Sequence, residues 1–268
     1  NIGACARSQG LTAAAIEAFR EALELIRPLD AGPRLAKTCA SLGDALRAAG
    51  DREGAAAALA EALTIATAVD DRWTLSFAHL YRGALAEDAG DNVKAIADYH
   101  IALGHARLLA LDTGIASSLI RLGALTQDPG EAAACFRESL DRCAAMGRPI
   151  LGAETLEGLA AVAVATDDAP QAARLLAAQS RIEAEVRQRH LERRTALQRS
   201  RVASKALEQA DENLRVTRNQ YRAGTGTNTE VLDADTLRLR AYVNFYSARY
   251  DAVLARLRLQ RATGSLGP

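Results

Sequence analysis

SLGDALRAAGDREGAAAALAEAL (residues 41–63) and YRGALAEDAGDNVKAIADYHIAL (81–103) are two copies of one pattern, set 40 residues apart. Gly43 matches Gly83, Gly50 matches Gly90, Ala55 matches Ala95, Leu59 matches Tyr99 and Ala62 matches Ala102. The columns extend outward at the same offset, to Gly3 and Gly123, Gly10, Ala15, Phe19 and Ala22. Five columns in register at a fixed spacing mark an internal repeat, which settles the architecture before any single residue is interpreted.

Each repeat reads as a helix, a turn and a helix. The first glycine column lets two helices approach more closely than any side chain would allow. The AGD triplets at Ala49 to Asp51 and Ala89 to Asp91 close one helix with glycine and open the next with an acid. The alanine and ring columns, four residues apart, form the inner face of the second helix. Composition agrees, with 49% hydrophobic residues, only 4% aromatics and no β-branched runs. The expected fold is all-α: a helix-turn-helix solenoid over 1–180, a long connecting helix over 181–204 and an antiparallel coiled-coil α-hairpin over 205–268.

The glycine, alanine and aromatic columns resemble the tetratricopeptide repeat over roughly residues 1–185. The period of 40 is similar to the repeats in the sensor halves of LuxR-type bacterial regulators. Two further copies are degenerate. LGALTQDPGEAAACFRESL (122–140) has lost about three residues before its second helix, and LEGLAAVAVATDDAPQAARLL (156–176) keeps Asp168, Ala172 and Leu176 in register. The resemblance implies a protein-binding solenoid, and Trp73, His79, Tyr81 and Arg82 are the residues expected to line a groove for a peptide. The chain opens inside a repeat, with Gly3 at the middle of its first helix, which reads as a fragment of something longer.

The formal charge of zero conceals two unlike halves. Residues 1–170 hold 15 basic against 23 acidic side chains, net −8, and residues 171–268 carry net +8. Between Gln171 and Arg222 there is neither glycine nor proline, so one helix or two coaxial ones would run about 75 Å at 1.5 Å per residue. Seven arginines between Arg181 and Arg201 spread around that helix without an interleaved aromatic, which reads as a solvated face rather than a nucleic-acid or lipid site. From Leu207 the spacing becomes heptad, through Ala210, Leu214, Thr217 and Tyr221. After a corner, a second stripe runs through Ala234, Leu237, Ala241, Phe245, Ala248, Ala252, Ala255 and Leu259.

Four words in this half occur in order: Y-x-x-G from Tyr221 to Gly224, V-L-D-A from Val231 to Ala234, A-R-Y-D from Ala248 to Asp251, and L-x-x-A-x-G ending at Gly264. Together they resemble the hairpin of TolC-type outer-membrane efflux proteins. The resemblance implies a tip that meets the helical hairpin of a periplasmic adaptor, with Tyr221, Gly224, Thr225, Gly226, Glu230 and Asp233 as tip residues. Local physics also explains the corner, since Gly224 suits a helix C-cap and Thr227 to Glu230 a capping box. A repeat of cytoplasmic type joined to a hairpin of periplasmic and outer-membrane type inside one helix reads as a fusion.

Catalytic chemistry finds no foothold. Cys5, Cys39, Cys135 and Cys143 lack metal or redox spacing and read as buried thiols, and the four histidines form no paired-ligand pattern. The dense acids Asp70-Asp71 and Asp167-Asp168 fall in turns. No apolar stretch of about 18 residues is present, and no leader is visible. A non-enzymatic interaction scaffold follows, without cofactor or metal and with a peptide or helical hairpin as partner. A homo-oligomer, a divergent efflux subunit and a regulatory sensor with a dimerising coiled coil are the alternatives.

Overall fold

The computed structural model describes residues 12–29 and 32–264. Among the described residues there are ten α-helices and no strand: α1 (Thr12–Ile26), α2 (Gly32–Ala48), α3 (Arg52–Ala68), α4 (Arg72–Asp88), α5 (Asn92–Leu108), α6 (Asp112–Leu125), α7 (Pro129–Met146), α8 (Pro149–Ala165), α9 (Ala169–Arg222) and α10 (Asn228–Ala262), with a 3-10 turn at Arg27–Leu29. The all-α solenoid with its long helix and hairpin is the observed fold. Two compact units divide at Gln179 and Ser180.

The 40-residue period has a simple mechanical origin. Helices α2, α3, α4 and α5 are each 17 residues long, and three residues separate each from the next. Within a repeat, the turn carries glycine at positive φ, +85° at Gly50 and +81° at Gly90, followed by an acid whose carboxylate caps the next helix: Asp51 accepts from the Gly54 amide at 2.9 Å and Asp91 from the Lys94 amide at 3.1 Å. Between repeats, the same left-handed step falls on Asp70 (φ 48°), Ala110 (φ 50°) and Gly147 (φ 61°).

The glycine column works as its spacing suggests. A Cβ on Gly43 would lie 2.6 Å from Leu59 Cγ, one on Gly83 would lie 2.6 Å from the Tyr99 ring, and one on Gly123 would lie 3.1 Å from the Phe136 ring. The third pair explains the degenerate copy. Helix α6 has 14 residues instead of 17, so the ring that matches Tyr99 arrives three residues early, at Phe136. The alanines that flank Leu59 and Tyr99, Ala55, Ala62, Ala95 and Ala102, have no exposed surface. Gly3, Gly10 and Cys5 lie outside the described residues.

The second unit is the end of α9 returning along α10. Its seam has steps of four and three on both helices. On α9 it runs through Ala196, Ser200, Ala203, Leu207, Ala210, Leu214 and Thr217, and on α10 through Ala234, Arg238, Ala241, Phe245, Ala248, Ala252, Ala255 and Leu259. Two details depart from the stripe expected of the sequence. The seam starts well before Leu207, and Leu237 is 53% exposed while Arg238 takes the seam position, its guanidinium donating to Asp211 at 2.6 Å. An arginine whose stem lies along alanines and whose head reaches an acid fits there better than a leucine one residue away.

Candidate functional site

The first helices of successive repeats, α2, α4, α6 and α8, touch one another in order, α2 on α4, α4 on α6 and α6 on α8. They enclose a cavity of about 210 Å³ whose wall includes Asp44 and Arg47 from α2, Tyr81 from α4, Ile120 and Arg121 from α6 and Glu154 from α8. One cavity drawing on four repeats is the geometry of a groove along the solenoid.

Its electrostatics are paired rather than open. Arg47 reaches Asp44 at 3.2 Å and Asp88 at 2.8 Å. Burial acts against its charge, but the two acids outweigh burial and its pKa is raised. Arg121 stands 3.8 Å from Glu87, and Glu87 accepts a 2.5 Å hydrogen bond from the Tyr99 hydroxyl. The ring that fills the repeat core therefore extends its polar end to an acid that faces the groove arginine. Burial, then Glu87, pushes the Tyr99 phenol up.

Two of the expected groove residues share a face of α4 and two do not. Trp73, Phe77 and Tyr81 follow at four-residue steps, with ring centroids 4.6 Å and 6.2 Å apart, and Lys37 Nζ stands 4.0 Å over the Trp73 ring. The face ends at Tyr81 in the cavity wall. His79 and Arg82 turn toward α5. His79 Nδ1 lies 2.8 Å from Asp98 Oδ1, and Arg82 donates to both carboxylate oxygens at 2.6 Å and 2.9 Å. Asp98 is 5% exposed. Burial acts to raise its pKa, yet His79 and Arg82 hold it below the usual carboxylate value.

Sequence reading had not singled out Asp98 or His105, although the register contained the signal. His79 falls in the column of Cys39, and Asp98 in the column of Ala58. A small apolar pair in one repeat is replaced in the next by a hydrogen-bonded histidine and aspartate. His105 stacks on His79 with centroids 6.2 Å apart, and its Nδ1 is buried with no hydrogen-bond partner. Burial and then His79 lower the His105 pKa.

The hairpin corner is built by capping. Gly224 has φ +73°, and the Thr225 amide donates to Gln220 O at 2.9 Å. The Thr227 amide donates to Glu230 Oε2 at 2.7 Å, and the Glu230 amide to Thr227 Oγ1 at 3.3 Å, a reciprocal capping box. A Cβ on Gly226 would come within 3.2 Å of the Tyr221 amide nitrogen and 3.3 Å of Glu230, so the corner is tight there. Tyr221 is 50% exposed, and Thr225 and Asp233 are exposed.

The thiols are quiet. Cys39 and Cys143 are buried and free, and burial pushes Cys39 up to about 12. Among the described residues no cluster of three or more His, Cys, Asp or Glu side chains is placed to hold a metal ion, and no helix is long and apolar enough to cross a membrane.

A family model, the tetratricopeptide repeat, matches residues 1–68. The chain is similar to that repeat over the match, and the 17-and-3 construction continues beyond it through α5. No curated protein matches the chain.

Proposed function

We propose that the repeat unit is a non-enzymatic scaffold whose groove takes a segment of a protein partner. Tetratricopeptide-type repeats support protein–protein interaction in general, and the observation that carries the groove is the cavity at which Arg47, Tyr81, Arg121 and Glu154 meet from the first helices of four successive repeats. Charges of both signs around one tyrosine suit a polar segment that inserts one apolar side chain. The hairpin, by its resemblance to TolC-type efflux proteins, is read as a displayed element whose corner, around Tyr221, Gly224 and Asp233, docks a helical hairpin.

A photo-crosslinking amino acid at Tyr81 tests the groove against the same group at Val93, which is 81% exposed on α5. Protein adducts at position 81 that are absent at 93 and lost on Arg121→Glu are expected. Equal labelling from both positions would remove the groove reading. For the corner, Tyr221→Ala is expected to abolish binding to an adaptor-type helical hairpin, and undiminished binding would remove that part alone.

A further inference from the structure

Helix α10 carries a second heptad stripe on the side opposite its seam with α9. Leu232, Leu239, Tyr246 and Val253 repeat every seven residues, and Thr236, Val243, Tyr250 and Leu257 follow each by four. All eight are exposed, from 41% at Leu257 to 64% at Tyr250 among the apolar ones. A run of four heptads is the pattern that two helices need to pack knobs into holes, and every position of this run is exposed. With the neighbouring Tyr242, the stripe exposes on the order of 800 Å², one partner's share of a standard interface.

We propose that this stripe is the interface with a second copy of the chain, with the two α10 helices antiparallel. Three features of the stripe specify that occupant and that direction. Heptad spacing calls for a helix. An antiparallel pair centred between Asn244 and Phe245 sets Leu232 against Leu257, Thr236 against Val253, Leu239 against Tyr250 and Val243 against Tyr246, so each tyrosine meets a smaller residue. A parallel pair would stack Tyr246 on Tyr246 and Tyr250 on Tyr250. The flanking charges agree. Asp235 at the start of α10 would face Arg256 of the second copy, twice in a symmetric pair, and Tyr242 would face Arg249. Asp235 already stands 3.6 Å from Arg218 on α9, so a second arginine would complete a bridge across the seam.

Sedimentation of the full chain at several concentrations is the test. A concentration-dependent dimer is expected, weakened at least about tenfold, or 1.4 kcal/mol, by Val243→Glu or Tyr250→Glu with unchanged helical circular dichroism. Direction is read separately. Asp235→Arg is expected to weaken the dimer, Asp235→Arg with Arg256→Asp to restore it, and Asp235→Cys to cross-link only when Arg256→Cys is also present. A monomer at 100-fold above a micromolar concentration, a dimer indifferent to Val243→Glu, or a disulfide through Asp235→Cys alone would each overturn the proposal. Rescue by the double charge reversal distinguishes a pairing loss from a folding defect.

Discussion

The two units are built from the same alanine-rich helices and solve the burial problem in opposite ways. In the repeat unit helices α2 to α8 each pack against at least two others, and large side chains such as Leu59, Tyr99 and Ile115 lose all or nearly all exposure. In the hairpin each long helix has one neighbour, so the seam buries Ala196, Leu214, Ala234, Ala255 and Leu259 while Tyr246, Tyr250 and Val253 stay in solvent. A solenoid closes its core by adding repeats, whereas a two-helix hairpin leaves its outer face open. An aromatic should therefore have very different consequences in the two places.

Tyr99→Ala and Tyr246→Ala test that difference most directly. Loss of the buried ring and of its hydrogen bond to Glu87 should cost about 3–5 kcal/mol, read as a large fall in the urea midpoint of the repeat unit. The same change at Tyr246, 47% exposed, should move the stability of the dilute chain by less than about 0.5 kcal/mol. Equal effects would mean that the hairpin is not the open-faced element described above.

The glycine column comes next. Gly83→Ala places a methyl 2.6 Å from the Tyr99 ring and 3.2 Å from the Ala95 carbonyl, and overpacking of this kind costs about 1–3 kcal/mol. Gly104→Ala, on α5 with nothing within 4 Å of the added carbon, is the control and should be neutral or slightly stabilising. Here the sequence was fully informative, because a glycine that recurs every 40 residues opposite a large side chain marks a close approach of two helices. The hairpin was less legible. Its seam before Leu207 passes through Ser200 and Ala196 among arginines, and the outer stripe of α10 mixes threonine and tyrosine with leucine, so a reading tuned to runs of apolar residues stopped at one stripe. For the proposed groove, the sequence put Trp73 and Tyr81 on one face of α4, where the structure has them, whereas the attachment of His79 and Arg82 to Asp98 depends on which repeat swapped an apolar pair for a histidine and an aspartate.

The cluster of His79, Asp98 and His105 should make the repeat unit sensitive to acid. His105 has a lowered pKa, so the unfolded chain binds its proton first and stability falls as pH drops through the ordinary histidine range. The groups that act on it are His79, Arg72 and Asp70, with the first two opposing its charge and Asp70 favouring it. Asp98, also lowered, adds a second loss below the usual carboxylate range as its proton binds. His105→Gln should flatten the first loss and leave the second, in melts followed from neutral to acidic pH. A wild-type chain equally stable across the histidine range would show that burial of His105 is not energetically felt.

The smallest effect compares two turns between successive repeats. Ala110 and Gly147 occupy the same position between successive repeats, at φ 50° and 61°. Left-handed backbone costs an alanine about 1–2 kcal/mol, and glycine avoids that strain while giving back part of it, about 0.5–1 kcal/mol, through the greater freedom of the unfolded chain. Ala110→Gly should therefore stabilise the repeat unit by about 0.5–1 kcal/mol, and Gly147→Ala should destabilise it by a similar amount, since nothing lies within 4 Å of a Cβ there and conformation alone decides. Opposite signs in paired urea melts would establish that both turns are held left-handed in the folded repeats, although two residues rather than three separate α7 from α8. Equal signs would mean that the three-residue loss before α7 has changed the geometry of the turn that follows it.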